Sequence, residues 1–371
     1  MKIIHLFPAY KLGGAPVCIL RFIENTNKTY QHHTIAKVED LALLKSFQAI
    51  NNVVCHDLDL TKFSVERVYK LNKIISQVKP DIVHVHGKGG AVYGLAIAIV
   101  TFKPFKLFYT FHGFYKKWAG FKWKLYILFE NLFSNFYEKS IAVSESERQY
   151  ILKTLRLNKS KVVTVYNGVY INAKNMPKHI ETTLSKHPIN IVTLSRFSHQ
   201  KDLETMIKSF CEIRKEYSVG LHIFGGFLAN DDMYNKKILK LIKEMDFEND
   251  IYLWGDYNDA SSLLHHFDIY WSTAIFEGLP TAVIEAFLSE TLVVGTDCRG
   301  NIDLIINEQT GLLSKTSNVK SNASAIIQAI EMIERNSHTH ILNTALKKGL
   351  YYSIENNIKN IEALYSNGVI L

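Results

Sequence analysis

Short β-branched or apolar runs alternate with longer amphipathic runs along the whole chain, in two series separated by a single break. That alternation builds βαβ units on parallel sheets and little else. In the first series strands are expected at Ile3–Phe7, His33–Val38, Val53–Leu58, Asp81–His86, Lys106–Phe111, Ser140–Val143 and Val162–Tyr166. Helices are expected between them at Pro16–Asn25, Ser64–Val78, Gly89–Val100, Trp123–Tyr137 and Glu145–Leu155. Residues 170–188 are polar, carry Pro177 and Pro188 and hold no period, which reads as a linker. The second series places strands at Ile191–Ser195, Leu221–Phe224, Ile251–Trp254, Asp268–Trp271 and Leu292–Gly295. Its helices fall at Leu203–Glu216, Met233–Met245, Asp259–His265 and Leu279–Leu288, and residues 319–366 look helical throughout. The expected fold class is α/β, with two doubly wound, Rossmann-like domains facing across a cleft and ligands at the carboxyl ends of the strands. Domain bounds follow as 1–170, linker 171–188 and 189–350.

With 371 residues, 47% hydrophobic and 21% charged, the chain has material for two packed cores and no case for global disorder. Its net charge of +8 hides an asymmetry: residues 1–178 hold 26 Lys and Arg against 11 Asp and Glu, whereas residues 179–371 hold 17 against 24. A basic first half implies an anionic partner for it. The apolar stretch from Gly89 to Phe102 is too short to cross a bilayer, and Met1–Pro8 lacks the apolar run of a secretory leader. Cys18, Cys55, Cys211 and Cys298 are scattered without metal spacing and read as free thiols, so a cytoplasmic protein is expected.

Four sites could carry chemistry. Gly13-Gly14 precede Pro16 between the first strand and helix, where close backbone approach and free N–H groups suit a diphosphate; a plain tight turn is the alternative. Arg196 and Lys201 lie on a strand-to-helix turn and can converge on one diphosphate; solvated loop charges are the alternative. Glu277-Gly278-Leu279-Pro280-Thr281 opens a helix that carries Glu285 two turns in, so that backbone N–H groups and two carboxylates could meet phosphate and sugar hydroxyls. His112-Gly113 ends the fifth strand, where a histidine faces a ligand. His84 and His86 share a strand face, but with no third ligand nearby in sequence they read as structural, and Asp57-Leu58-Asp59 reads as surface acids.

Taken in order, Gly13-Gly14, Pro80–His86, Phe111-His112-Gly113, Ala142–Glu145, Asn167-Gly168-Val169, Arg196…Lys201, Phe224-Gly225-Gly226 and Glu277…Glu285-Ala286 resemble a retaining glycosyltransferase of the GT-B fold, in glycosyltransferase family 4. The resemblance implies that Arg196, Lys201, Gly13 and Gly14 meet the donor diphosphate and that Glu285 holds the ribose. It implies further that Glu277, with Gly278, Leu279 and Thr281, contacts the donor sugar and phosphate, and that His112 sits at the reacting carbon. Trp254 and Tyr257 fall where such enzymes hold the nucleobase, and a C-terminal helix (351–371) crosses back onto the first domain. The chain departs from the family's usual pattern in the strand after the second glutamate, at Arg299-Gly300 with Asp303, and at Tyr170.

Neutralising a leaving diphosphate and an oxocarbenium-like sugar is work that Arg196, Lys201 and a helix start can do, so no metal and no other cofactor is expected. The donor is expected to be a UDP sugar, transferred with retention onto a glycan or lipid-linked saccharide in bacterial surface polysaccharide synthesis. Lys116, Lys117, Trp118, Lys122, Trp123 and Lys124 lie among further aromatics directly after His112-Gly113, a composition suited to an anionic membrane surface on the inner leaflet. A nucleotide-sugar 2-epimerase and a basic nucleic-acid-binding protein are the rival classes; no nucleic-acid motif is present.

Overall fold

The computed structural model describes residues 1–102, 105–116, 120–227, 232–257 and 259–367. The chain divides into two compact units, Met1–Val169 with Ser353–Leu371, and Tyr170–Tyr352.

The first unit is built on seven parallel strands: β1 (Lys2–Tyr10), β2 (Gln31–Val38), β3 (Val53–Asp57), β4 (Ile82–His86), β5 (Lys106–Thr110), β6 (Lys139–Ala142) and β7 (Val162–Thr164), in the order β3-β2-β1-β4-β5-β6-β7. β1 lies inside the sheet and is covered on both faces, so Ile3–Phe7 are buried in succession rather than alternately, with His5 the one polar side chain among them. Ile3 and Phe7 pack toward the helices Gly14–Asn25 and Ile354–Asn367, through Ile19, Phe22, Leu364 and Tyr365. Ile4 and Leu6 pack on the other face, against Leu71, Ile75, Tyr93 and Ile97 of the helices Val65–Val78 and Gly87–Val100. A Cβ on Gly90 would lie 2.5 Å from the Leu6 carbonyl oxygen, so this helix needs its glycines to settle on the sheet. The last helix belongs to this unit: the Ile354 N–H donates to Val169, and Glu362 accepts from the Thr26 hydroxyl at 2.6 Å.

The second unit has six parallel strands: β8 (Ile189–Leu194), β9 (Val219–Phe224), β10 (Ile251–Gly255), β11 (Ile269–Ser272), β12 (Leu292–Thr296) and β13 (Leu312–Ser314), in the order β10-β9-β8-β11-β12-β13. Trp271, Ile191 and Leu221 centre a core closed by Met206, Phe210 and Ile326. The stretch read as a linker holds a short helix, Lys178–Leu184, and the tract 319–366 is three helices, Val319–Glu334, Thr339–Tyr351 and Ile354–Asn367. Asn336, in the left-handed region at φ 52°, breaks the first from the second. Among the described residues no helix is long and apolar enough to cross a membrane.

Candidate functional site

In the second unit, two turns at the carboxyl ends of β8 and β11 are knitted together. The Ile275 N–H donates to the Gln200 carbonyl at 2.8 Å, the Thr273 hydroxyl donates to the Lys201 carbonyl at 2.8 Å, and Gln200 Nε2 donates to the Phe276 carbonyl at 3.0 Å. These bonds hold Lys201 Nζ 2.6 Å from Glu277 Oε1, while Gln200 Nε2 reaches Glu277 Oε2 at 3.3 Å. Arg196 is half-buried, one residue past Ser195, whose N–H donates to the Phe224 carbonyl at 2.8 Å. Gly225 lies so close to Ser195 and Arg196 that any side chain would collide with their backbone.

The helix Thr281–Leu288 starts at Pro280 with no side-chain cap and no acidic residue in its first turn. The Val283 N–H donates to the Pro280 carbonyl at 3.1 Å, and the N–H groups of Thr281 and Ala282, next to Gly278 and Leu279, offer positive potential to an anion. Glu277 and Glu285 are both buried, and both carboxylates add to the burial that raises the Tyr270 hydroxyl well above the usual phenol range. Gly300, at φ 91°, lies over Glu277: a Cβ there would sit 2.6 Å from the Glu277 Cβ. Gln200 was not singled out from the sequence, and Gly300 only as part of a departure from the family pattern, because their contribution is to shape Glu277 rather than to carry charge.

Trp254 stacks with His222 and Phe224, and its indole N–H donates to His222 Nδ1 at 3.2 Å; Tyr257 meets Phe224 edge-on. Asp256, between them, accepts from the Gly226 N–H at 2.8 Å and fixes the glycine turn.

In the first unit, His112 follows β5 at φ 53°, a backbone region costing a non-glycine residue about 1–3 kcal/mol. Buried Glu147 holds that turn, accepting from the N–H groups of Gly113 at 2.7 Å, Phe114 at 2.5 Å and Val143 at 2.8 Å. Glu147 lies only two residues beyond Glu145, yet nothing in its spacing marks it. Gly13 and Gly14 open the helix Gly14–Asn25 without a side-chain cap, and a Cβ on Gly14 would meet open space. Pro16 is the third helical residue, still within the turn whose N–H groups have no helical partner.

The basic segment divides. Lys117 and Trp118 lie outside the described residues. Trp123 is half-buried against Phe114 and Tyr126, so it is a core-side residue and not part of an outward face. Lys122 and Lys124 are exposed, Lys116 is exposed, and Phe121, Leu125, Leu128 and Leu132 form an exposed apolar stripe at helical spacing on Gly120–Phe133.

The third ligand absent from the sequence neighbourhood of His84 and His86 comes from β1: one nitrogen each of His5, His84 and His86 lie within 4.8 Å of one another. Every ring nitrogen of the three is nonetheless engaged, by Tyr365, Thr110, His32, His112 or each other. Asp59 is bound to Arg67 at 2.8 Å and Asp57 accepts from the Val38 N–H, so that pair supports its own loops.

Residues 12–172 match the model of Glycosyltransferase Family 4, and residues 176–345 match that of Glycosyl transferases group 1. This chain is a family 4 glycosyltransferase. The transferase is 22% identical over 307 residues to the Staphylococcus aureus capsular polysaccharide biosynthesis glycosyltransferase CapH, covering 82% of this chain and 83% of that one. It is 22% identical over 335 residues, 85% of this chain and 83% of the other, to an Escherichia coli UDP-Gal:alpha-D-GlcNAc-diphosphoundecaprenol alpha-1,3-galactosyltransferase. The Anabaena protein HepE, solved with UDP and glucose, superposes with a TM-score of 0.85 over 99% of each chain at 18% identity, so the transferase has the GT-B fold.

Proposed function

We propose that this transferase moves a hexose or N-acetylhexosamine from a UDP-linked donor, with retention, onto a lipid-linked saccharide in bacterial surface polysaccharide synthesis. The observation that carries it is the Lys201–Glu277 pair beside the uncapped start of Thr281–Leu288. In this reading the Lys201 cation and the N–H groups at the helix start would take a diphosphate, and the carboxylate beside them sugar hydroxyls. Arg196 would add the second cation, Glu285 would take the ribose hydroxyls, and Gly13-Gly14 would meet the phosphates from the first unit. Trp254 and Tyr257 mark the nucleobase end.

In the chemical step the bond from the anomeric carbon to the leaving phosphate oxygen breaks and the acceptor oxygen bonds to the same face. The departing phosphate oxygen takes the acceptor proton. Arg196, Lys201 and the helix start stabilise the charge growing on the diphosphate, and Glu277 and His112 orient the sugar. Two relatives named for capsule and for a diphosphoundecaprenol acceptor support the substrate class. Membrane association at an inner leaflet is part of the same proposal, supported by exposed Lys116, Lys122 and Lys124 beside the apolar stripe of Gly120–Phe133.

The test is a thermal-shift panel of UDP and GDP sugars followed by product NMR. A UDP sugar is expected to raise the melting temperature most, by mass action, and the product to keep the donor's anomeric configuration. An inverted product, or a GDP sugar as best ligand, contradicts the proposal.

A further inference from the structure

Four histidines of the first unit step across its sheet in a fixed register. His32 pairs with Ile3, and His5 lies two residues beyond Ile3. His5 pairs with His84, and His86 lies two residues beyond His84. His86 pairs with Thr110, and His112 lies two residues beyond Thr110. A step of two keeps the three strand histidines on one sheet face. The resulting diagonal puts neighbouring ring centroids 5.3 to 5.5 Å apart, a gap that one imidazole nitrogen on each side closes.

The nitrogens alternate in one direction. His112 Nε2 faces His86 Nδ1 at 3.0 Å, His86 Nε2 faces His5 Nδ1 at 3.3 Å, and His5 Nε2 faces His32 Nδ1 at 3.1 Å. A neutral imidazole has one donor and one acceptor, so fixing the proton in any link fixes it in all. Only two arrangements satisfy all three links: every proton on Nδ1, or every proton on Nε2. A charged ring anywhere in the chain would donate to both sides, reverse the links beyond it and leave an N–H on His32 Nε2, and burial holds all four rings well below the usual histidine range, His32 and His112 to about 4.

The far end selects between the two. His32 Nε2 is buried with no hydrogen-bond partner. A proton there would be a stranded N–H, the rarer kind of buried orphan, whereas a lone pair there is better tolerated. His32 then donates from Nδ1 to His5, His5 to His86, and His86 to Nε2 of His112. That leaves the His112 proton on Nδ1, a nitrogen with no hydrogen-bond partner among the described residues.

We propose that His86, His5 and His32 are positioning residues that hold His112 as its Nδ1–H tautomer, so that His112 offers the substrate a hydrogen-bond donor and no basic nitrogen. The consequence for the reaction rests on the proposed transfer: His112 cannot take the acceptor proton, which must go to the departing phosphate. The tautomer itself does not depend on any substrate, so its test is separable from the test of the function.

The experiment is two-bond 1H–15N correlation NMR on ligand-free protein labelled with 15N-histidine, assigned with His112→Ala and His86→Ala. His112 is expected to show the Nδ1–H pattern. His32→Asp, whose carboxylate can only accept where Nδ1–H donated, should turn every proton of the chain onto Nε2 and lower kcat by roughly tenfold with the donor KM unchanged. His32→Asn, whose amide N–H can stand where Nδ1–H stood, should keep the Nδ1–H pattern and the rate. A cationic or Nε2–H His112 in the unmodified protein overturns the proposal whether or not His32→Asp folds, as does a pattern indifferent to His32→Asp. Stoichiometric zinc in the purified protein also overturns it, because an ion on His5, His84 and His86 would take nitrogens out of the chain.

Discussion

The ammonium of Lys201 lies 2.6 Å from the carboxylate of Glu277, and the two side chains are only 21% and 11% exposed. Each neutralises the other in the ligand-free protein, so under the proposed function an incoming diphosphate would compete with Glu277 for the same cation. Glu277→Gln should therefore leave UDP affinity unchanged or tighter while lowering kcat by about a hundredfold, because the sugar loses its carboxylate. Lys201→Ala should weaken UDP by roughly ten- to a hundredfold and also lower the melting temperature, since it strands a mostly buried carboxylate. Calorimetric titration of UDP into both variants, with initial rates, distinguishes the two effects; weaker UDP binding in Glu277→Gln would contradict the competition.

Gly300 is required by space and by backbone conformation together. Gly300→Ala puts a methyl group 2.6 Å from the Glu277 Cβ at a φ of 91°. Urea denaturation should show a loss of about 1–3 kcal/mol, and kcat/KM should fall with it as Glu277 is displaced. Unchanged kinetics in a folded Gly300→Ala would mean that Glu277 does not need its present position.

Acid should weaken the fold through its buried histidines. Burial holds His32 near 4 and His84 near 3 in the folded protein, below the ordinary value of 6.5. Above 6.5 both states are neutral; as the pH falls from 6.5 toward 4, the unfolded chain takes up protons that the folded one refuses. Stability present above the ordinary value is thus lost on acidification, at about 1.4 kcal/mol per pH unit for each such histidine. Urea midpoints at about pH 7.5 and about pH 5 check this, and stability that is flat or rises on acidification contradicts it.

The sequence revealed the βαβ order of both units because strand periodicity and helix amphipathicity are local properties. It did not reveal β13, which is three residues long, or the helix Leu41–Gln48, whose cap is the single residue Asp40. At the candidate site, motif spacing singled out Arg196, Lys201, Glu277, Glu285 and His112. What shapes them was not legible. Glu147 serves through three backbone N–H groups, and His5 joins His86 only through the register of β1 on β4. Trp123 looked outward by composition but packs inward, because helical spacing sets it with Tyr126 against Phe114 rather than with Phe121 and Leu125.

Membrane binding should depend on the stripe as well as on the lysines. Phe121 is 72% and Leu132 60% exposed, with Lys122 and Lys124 alongside. Each cation near anionic lipid contributes about 1 kcal/mol, so removing both lysines should weaken flotation with anionic vesicles by roughly tenfold or more. Leu128→Ser with Leu132→Ser should weaken it without changing its salt dependence. No flotation of the unmodified protein, or flotation indifferent to all four changes, contradicts an inner-leaflet role for this helix.

The central claim is that Arg196, Lys201 and Glu285 bind one sugar nucleotide. Isothermal titration of the best UDP sugar into the unmodified protein and into Arg196→Ala/Lys201→Ala/Glu285→Ala, with circular dichroism confirming the fold of each, tests it directly. An affinity lost by about a hundredfold or more in the triple variant is the expected result. Equal affinity in two equally folded proteins would contradict the assignment of the donor to this unit.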